Sequence, residues 1–147
     1  YYYKDRKKGI ILVSLAGPVM NFLVAFVSVL LEGLLVKYGS RGSVLITILI
    51  LLTEYSARIN IGLGVFNLIP VPPLDGSKVL GELAPSVNQL YRRWGPYWQW
   101  GLLILLVVGV LSVPLSAIDS VVYNLMWDGA VRLLRLYAVG GGGAGVI

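Results

Sequence analysis

The stretch Phe66-Asn67-Leu68-Ile69-Pro70-Val71-Pro72-Pro73-Leu74-Asp75-Gly76 decides how this chain is read, because a helix cannot run through it. Proline lacks the backbone N–H that an α-helix needs, and three prolines fall within four residues. Each also pushes its predecessor away from helical angles, which predicts extended backbone at Ile69, Val71 and Pro72, and so over Pro70–Leu74. Outward from this break the chain is strongly apolar. Runs over 9–36, 43–66 and 97–113 each approach the ~20 residues that a helix needs to cross a hydrocarbon core. With 57% apolar residues, 13% charged residues and a mean hydropathy of +0.81, most of the chain belongs in lipid. The predicted fold is all-α: a polytopic transmembrane helix bundle with a proline-broken helix around residues 67–76.

Charge placement predicts the topology. Lys4, Arg6, Lys7 and Lys8 crowd the start of the first apolar run, as a cytoplasmic flank does. The turn Lys37–Gly42 then falls outside, and the second helix returns Lys78, Arg92 and Arg93 to the cytoplasmic side. The basic cluster is short and abuts a hydrophobic helix, which argues against nucleic acid as a partner. Residues 117–137 carry Asp119, Asp128, Arg132 and Arg135 at roughly helical spacing and predict an amphipathic helix packed on the bundle. Residues 1–137 thus form one membrane-embedded domain, and the Gly-rich tail 138–147 is predicted to be disordered. The first residue is Tyr1, and no signal-peptide pattern precedes the first apolar run, so the chain reads as a fragment with an internal start.

Several residues sit where lipid-facing helices do not place them. Gly17-Pro18 distorts the first span and frees the Ser14 carbonyl, while Gly17 admits a close neighbour. Asn21 follows, and an amide in hydrocarbon without partners costs about 2–7 kcal/mol. A helix-packing amide beside a tolerated kink accounts for this segment taken alone. Glu54 and Arg58 share one helical face and form a self-neutralising pair. Two readings of Asp75 stand side by side. A carboxylate on a broken helix near the membrane is a functional-site candidate; alternatively Asp75 or Ser77 caps a helix over Lys78–Leu83. Gly76 would allow the sharp turn before that helix. Cysteine and histidine are both absent, which removes thiolate chemistry, Cys-type metal sites and the commonest general base and metal ligand.

Ser14-Leu-Ala-Gly-Pro-Val-Met-Asn21 resembles the AGPxxN segment, and Phe66–Gly76 the FNLxPxPPLDG segment, of the site-2 protease family of intramembrane zinc metalloproteases, especially its compact bacterial members. The resemblance runs from about Asp5 to Val113. It implies hydrolysis of transmembrane segments of substrate proteins by a zinc-bound water, with two histidines and a glutamate base on an H-E-x-x-H helix. It makes Asp75 the third zinc ligand, and Asn21, Asn67, Pro70 and Gly76 the substrate-facing wall. The Asn67 amide is expected to bond within the proline loop or near Asn21. It also implies an integral protein of the bacterial cell membrane. The departure is the missing H-E-x-x-H helix, which in this family lies upstream of AGPxxN. No catalytic residue is present, so the chain alone is expected neither to hold zinc nor to cleave. It reads as a truncated enzyme; the alternative is a pseudoprotease scaffold that binds transmembrane helices without cutting them. A transporter bundle would use the same polar features but has no use for this proline string.

Overall fold

The computed structural model describes residues 2–135, and every regular element among them is helical. The helices are α1 (Tyr2–Tyr38), α2 (Val44–Asn67), α3 (Asp75–Leu83), α4 (Pro85–Trp94), α5 (Tyr97–Val107) and α6 (Ser112–Leu134). The expectation for the glycine-rich tail at 138–147 lies outside the described residues.

Helices α1 and α2 form an antiparallel hairpin. The turn between them ends at Ser43, whose hydroxyl accepts from the Ile46 amide and caps α2. The packing is that of a membrane bundle, with small and polar residues inside and large apolar ones outside. Along α1 the buried stripe is Ser14, Pro18, Ala25, Ser28, Val29 and Glu32, at the three- and four-residue steps of one helical face. It meets Ala57, Ile61 and Gly64 of α2. Opposite this stripe Leu12, Val13, Leu23 and Val27 are exposed, as side chains facing lipid are. Small residues at the seam let the backbones approach, which is how helices associate where burial from water supplies no drive. Gly64 shows the closeness: a Cβ there would come within 3.0 Å of the Phe22 ring.

Among the described residues two helical stretches, Asp5–Tyr38 and Val44–Asn67, are long and apolar enough to cross a membrane, and the pair α5 and α6 makes a third crossing if it counts as one. That pair is bent by 77°. The expected span over 97–113 therefore does not run straight. Helix α5 stops at Val107 after eleven residues, roughly 16 Å and short of a bilayer core. Gly109, with φ of 77°, turns the chain in a conformation that side chains disfavour. Helix α6 begins at Ser112 rather than at 117 and carries Pro114 in its first turn, where a missing N–H costs little. It packs on α1 and α2 through Tyr123, Ala130 and Val131.

Candidate active-site wall

The helix breaks where the prolines require. Helix α2 ends at Asn67, α3 starts at Asp75, and a compact loop joins them. Pro70–Leu74 is curled rather than extended throughout. The Val71 amide donates to the Ile69 carbonyl at 2.8 Å, and the Leu74 amide to the Val71 carbonyl at 3.0 Å. These are the free donors of a proline-rich loop, and with no neighbouring strand they turn back on the nearest carbonyls. The Pro72–Pro73 peptide is cis. The loop is tied from outside by Tyr91 of α4, whose hydroxyl donates to the Pro70 carbonyl at 2.6 Å. Burial holds the Tyr91 phenol above its ordinary range, so it remains a donor.

Asp75 is the first helical residue of α3, and the position before it, Leu74, offers no side-chain cap. The Ser77 hydroxyl donates to the Leu74 carbonyl at 2.7 Å instead of accepting from the helix. Among the described residues neither the Asp75 nor the Ser77 side chain accepts from a backbone amide of α3. The Asp75 carboxylate is engaged elsewhere. Its Oδ1 accepts from Lys78 Nζ at 2.8 Å, and its Oδ2 faces α1, 3.6 Å from where a Cβ on Gly17 would stand. Gly17 leaves that space open. The two motif segments, far apart in sequence, therefore meet through the bare backbone of one and the carboxylate of the other.

Gly76 works differently from the expected sharp turn, for it is helical and buried within α3. A methyl there would overlap the Leu68 carbonyl oxygen and stand 2.7 Å from that of Ile69. Its role is close approach: α3 starts directly against the backbone leaving α2.

Asn21 lies three residues past Pro18 on the inward side of α1 and Asn67 three past Gly64 on α2, and both are half-buried. The pairs Ser28–Ser56, with hydroxyls 3.0 Å apart, and Phe22–Gly64 set the antiparallel register, which brings Asn67 level with Gly17 and Pro18. Among the described residues neither amide makes a side-chain hydrogen bond, so the bond expected from Asn67 is not formed.

A second polar cluster joins α1, α2 and α6, and the sequence shows its Glu54–Arg58 pair but not the place of Glu32 and Tyr123 in it. Glu32 is buried at 6% exposure and accepts from the Tyr123 hydroxyl at 2.9 and 2.8 Å. Arg58 stacks over the Tyr123 ring at 4.2 Å, pairs with Glu54 at 3.0 Å as expected, and reaches Asp119 of α6 at 3.2 Å. The available signal was spacing, since Glu32 lies on the stripe that carries Ser14, Asn21 and Ser28.

Long apolar helices, small-residue seams and a proline-broken helix followed by a carboxylate define a polytopic helical membrane protein. The sequence profile of peptidase family M50 matches residues 31–109, and the chain belongs to that family. It is 30% identical over 141 residues to YwhC of Bacillus subtilis, covering 94% of this chain and 60% of that protein. It is 33% identical over 131 residues to MJ0611 of Methanocaldococcus jannaschii, covering 86% and 51%. It is 36% identical over 109 residues to Rip2 of Mycolicibacterium smegmatis, covering 74% and 38%. Each is named as a presumed zinc metalloprotease. The chain thus spans about three fifths or less of these relatives' length. No solved structure matches it.

Zinc can be tested against the donors present. Asp75 offers one carboxylate, already bonded to Lys78, and among the described residues no three His, Cys, Asp or Glu side chains converge. Catalytic zinc takes three protein ligands, so these residues alone do not fit it.

Proposed function

We propose that this chain forms the substrate-facing and carboxylate-bearing part of an intramembrane zinc metalloendopeptidase of the site-2 protease type, which cleaves transmembrane segments of membrane proteins. The observation that carries the reading is the meeting of Asp75 with Gly17, in a chain of family M50. Asp75 would supply one anionic metal ligand, held at the start of α3 and aimed at the gap that Gly17 leaves. The remaining ligands and the general base would come from outside these 147 residues, and the 147 residues alone would be inactive. Asn21, Asn67, Pro70 and Gly76 would wall the site, with the two amides available to the backbone of a substrate segment. The membrane would be a bacterial cell membrane, with the basic flank of α1 on the cytoplasmic side.

The test is Asp75→Asn in the full-length protein, reading zinc by elemental analysis and cleavage of a transmembrane reporter. A neutral amide replaces an anionic ligand, so zinc content and cleavage should both fall by tenfold or more on the order expected of a lost ligand contact. Unchanged zinc and activity would remove Asp75 from the site. A full-length protein that retains transmembrane helices without cleaving them would mark a scaffold instead. Stoichiometric zinc on the purified 147-residue chain would refute its dependence on outside ligands.

A further inference from the structure

At the end of the bundle where α1 begins, α1 and the α3–α4 pair enclose a polar cavity of about 170 Å³, roughly five waters' worth of space. Arg6 and Lys7 reach it from α1, Arg92 from α4, and Glu82 and Asn88 complete the polar lining. Three cations therefore face one carboxylate, and among the described residues none of the four is in an ion pair. Elsewhere in the chain each of the ion pairs formed by Arg58 and Lys78 has its carboxylate within 3.2 Å. An unpaired excess of positive charge in a shaped cavity is the complement of an anion.

A second, more open hollow, of about 400 Å³, borders the first. It shares Arg6 and Ile10 with the cavity and runs along α1 past Gly9 and Val13 to Ser14, with Lys78 at its side. Its walls are mainly apolar, and Gly9 leaves open space. Leu12 and Val13, beside it, are 69% and 77% exposed and begin the lipid-facing band of α1. The cavity thus lies beside the basic start of α1, and the second hollow runs from there along the apolar part of the helix. A charged pocket with an apolar groove leading inward matches an amphiphile with an anionic head and an acyl chain; a soluble anion would leave the groove unexplained.

We propose that this is a binding site for an anionic glycerophospholipid, its phosphate among Arg6, Lys7 and Arg92 and an acyl chain along Gly9–Ser14. Basic pockets between helices at a membrane surface hold such head groups, and each neighbouring cation strengthens binding by roughly fivefold. Glu82 opposes the phosphate and sets the limit on affinity, while the Asn88 amide can donate to an ester or glycerol oxygen. The lipid would bridge α1 to α3–α4 and so brace the helix that carries Asp75.

The test uses the full-length protein in a neutral detergent, with native mass spectrometry to count retained lipid. Dioleoylphosphatidylglycerol, dioleoylphosphatidylcholine and glycerol 3-phosphate are compared. Phosphatidylglycerol should bind about tenfold or more tightly than phosphatidylcholine. Arg6→Gln, Lys7→Gln and Arg92→Gln should each weaken it by roughly fivefold, and the triple variant should erase the preference. Glu82→Gln should tighten binding, a gain that a misfolded protein would not show. Arg93→Gln changes net charge equally outside the cavity and should leave binding unchanged. Equal binding of both lipids, a triple variant that keeps the preference, or an Arg93→Gln loss as large as that of Arg92→Gln would overturn the proposal. Glycerol 3-phosphate competing as well as the lipid would overturn it too, making the cavity a site for a soluble anion.

Discussion

Replacing Gly76 by alanine tests the feature on which the position of Asp75 depends. The new methyl would overlap the Leu68 carbonyl oxygen and lie 2.7 Å from that of Ile69, where real Cβ atoms essentially never come under 3.0 Å. Both obstacles are backbone, so no side-chain rotation relieves the overlap, and either the α2–α3 loop opens or α3 retreats. Overpacking of this kind costs about 1–3 kcal/mol, and an obstacle of fixed backbone belongs at the upper end. At roughly 4 °C per kcal/mol for a chain of this size, the unfolding midpoint should fall by about 10 °C. Asp75 precedes Gly76 and moves with it, and a displacement of about 1 Å can lower turnover on the order of a hundredfold. The assay is thermal unfolding in detergent by intrinsic fluorescence, with reporter cleavage measured on the full-length protein. Gly62→Ala and Gly101→Ala are the controls, because a Cβ at either meets nothing within 4 Å. Both should hold or slightly raise the midpoint, by helix propensity worth up to about 1 kcal/mol. A Gly76→Ala midpoint that matches these controls would refute the close approach of α3 to the loop, and with it the argument for how Asp75 is aimed.

Gly17→Ala should be tolerated by the fold, since its methyl would stand 3.6 Å from Asp75 Oδ2 in ordinary contact. It would cover the open side of the carboxylate, so the full-length protein should lose zinc while keeping its unfolding midpoint; equal loss of both would contradict this geometry. Tyr123→Phe removes the donor to Glu32 and should cost about 1–2 kcal/mol in detergent unfolding. Arg58→Met strands Glu54 and Asp119 and should cost more, about 2 kcal/mol after allowance for the 36% exposure of the arginine. If neither variant shifts the midpoint, the cluster does not hold α6 in place.

The break in α2 was legible because proline's missing donor is a covalent fact that no context repairs. The path of the loop was not. Extended angles follow from each proline taken singly, whereas the curl follows from where the Val71 and Leu74 amides find acceptors, and that depends on the folded chain. The end of α5 carried a signal in Gly109, but it lies inside so apolar a run that hydropathy outweighed it. Asp75 and its neighbours were found through the motif that contains them. Gly76 was found for an incomplete reason, since sequence shows that a residue is small but not which carbonyl sits against it. Glu32 was overlooked because a single carboxylate in an apolar run has no partner in the sequence nearby. Its partner, Tyr123, comes from another helix entirely.

A charged residue within a membrane helix is by default a functional candidate, and this chain places two polar centres along α1 that call for different readings. Asp75 meets α1 at Gly17, and Glu32 lies fifteen residues further on, about 22 Å along the axis. One ligand set cannot include both. At the Glu32 end the polar atoms are turned toward one another: Glu32 takes the Tyr123 hydroxyl, and Arg58 joins Glu54 to Asp119, so α1, α2 and α6 are linked by their own side chains. At the Asp75 end one carboxylate oxygen faces a glycine, two nearby amides make no side-chain bond among the described residues, and the loop behind them is pinned by Tyr91. The satisfaction is incomplete at both ends: Asp119 Oδ1 is buried without a partner among the described residues, and Asp75 accepts from Lys78 through one oxygen only. The Glu32 cluster ties α6 to the α1–α2 pair, and under the proposed function the Asp75 end would be the part that meets a substrate.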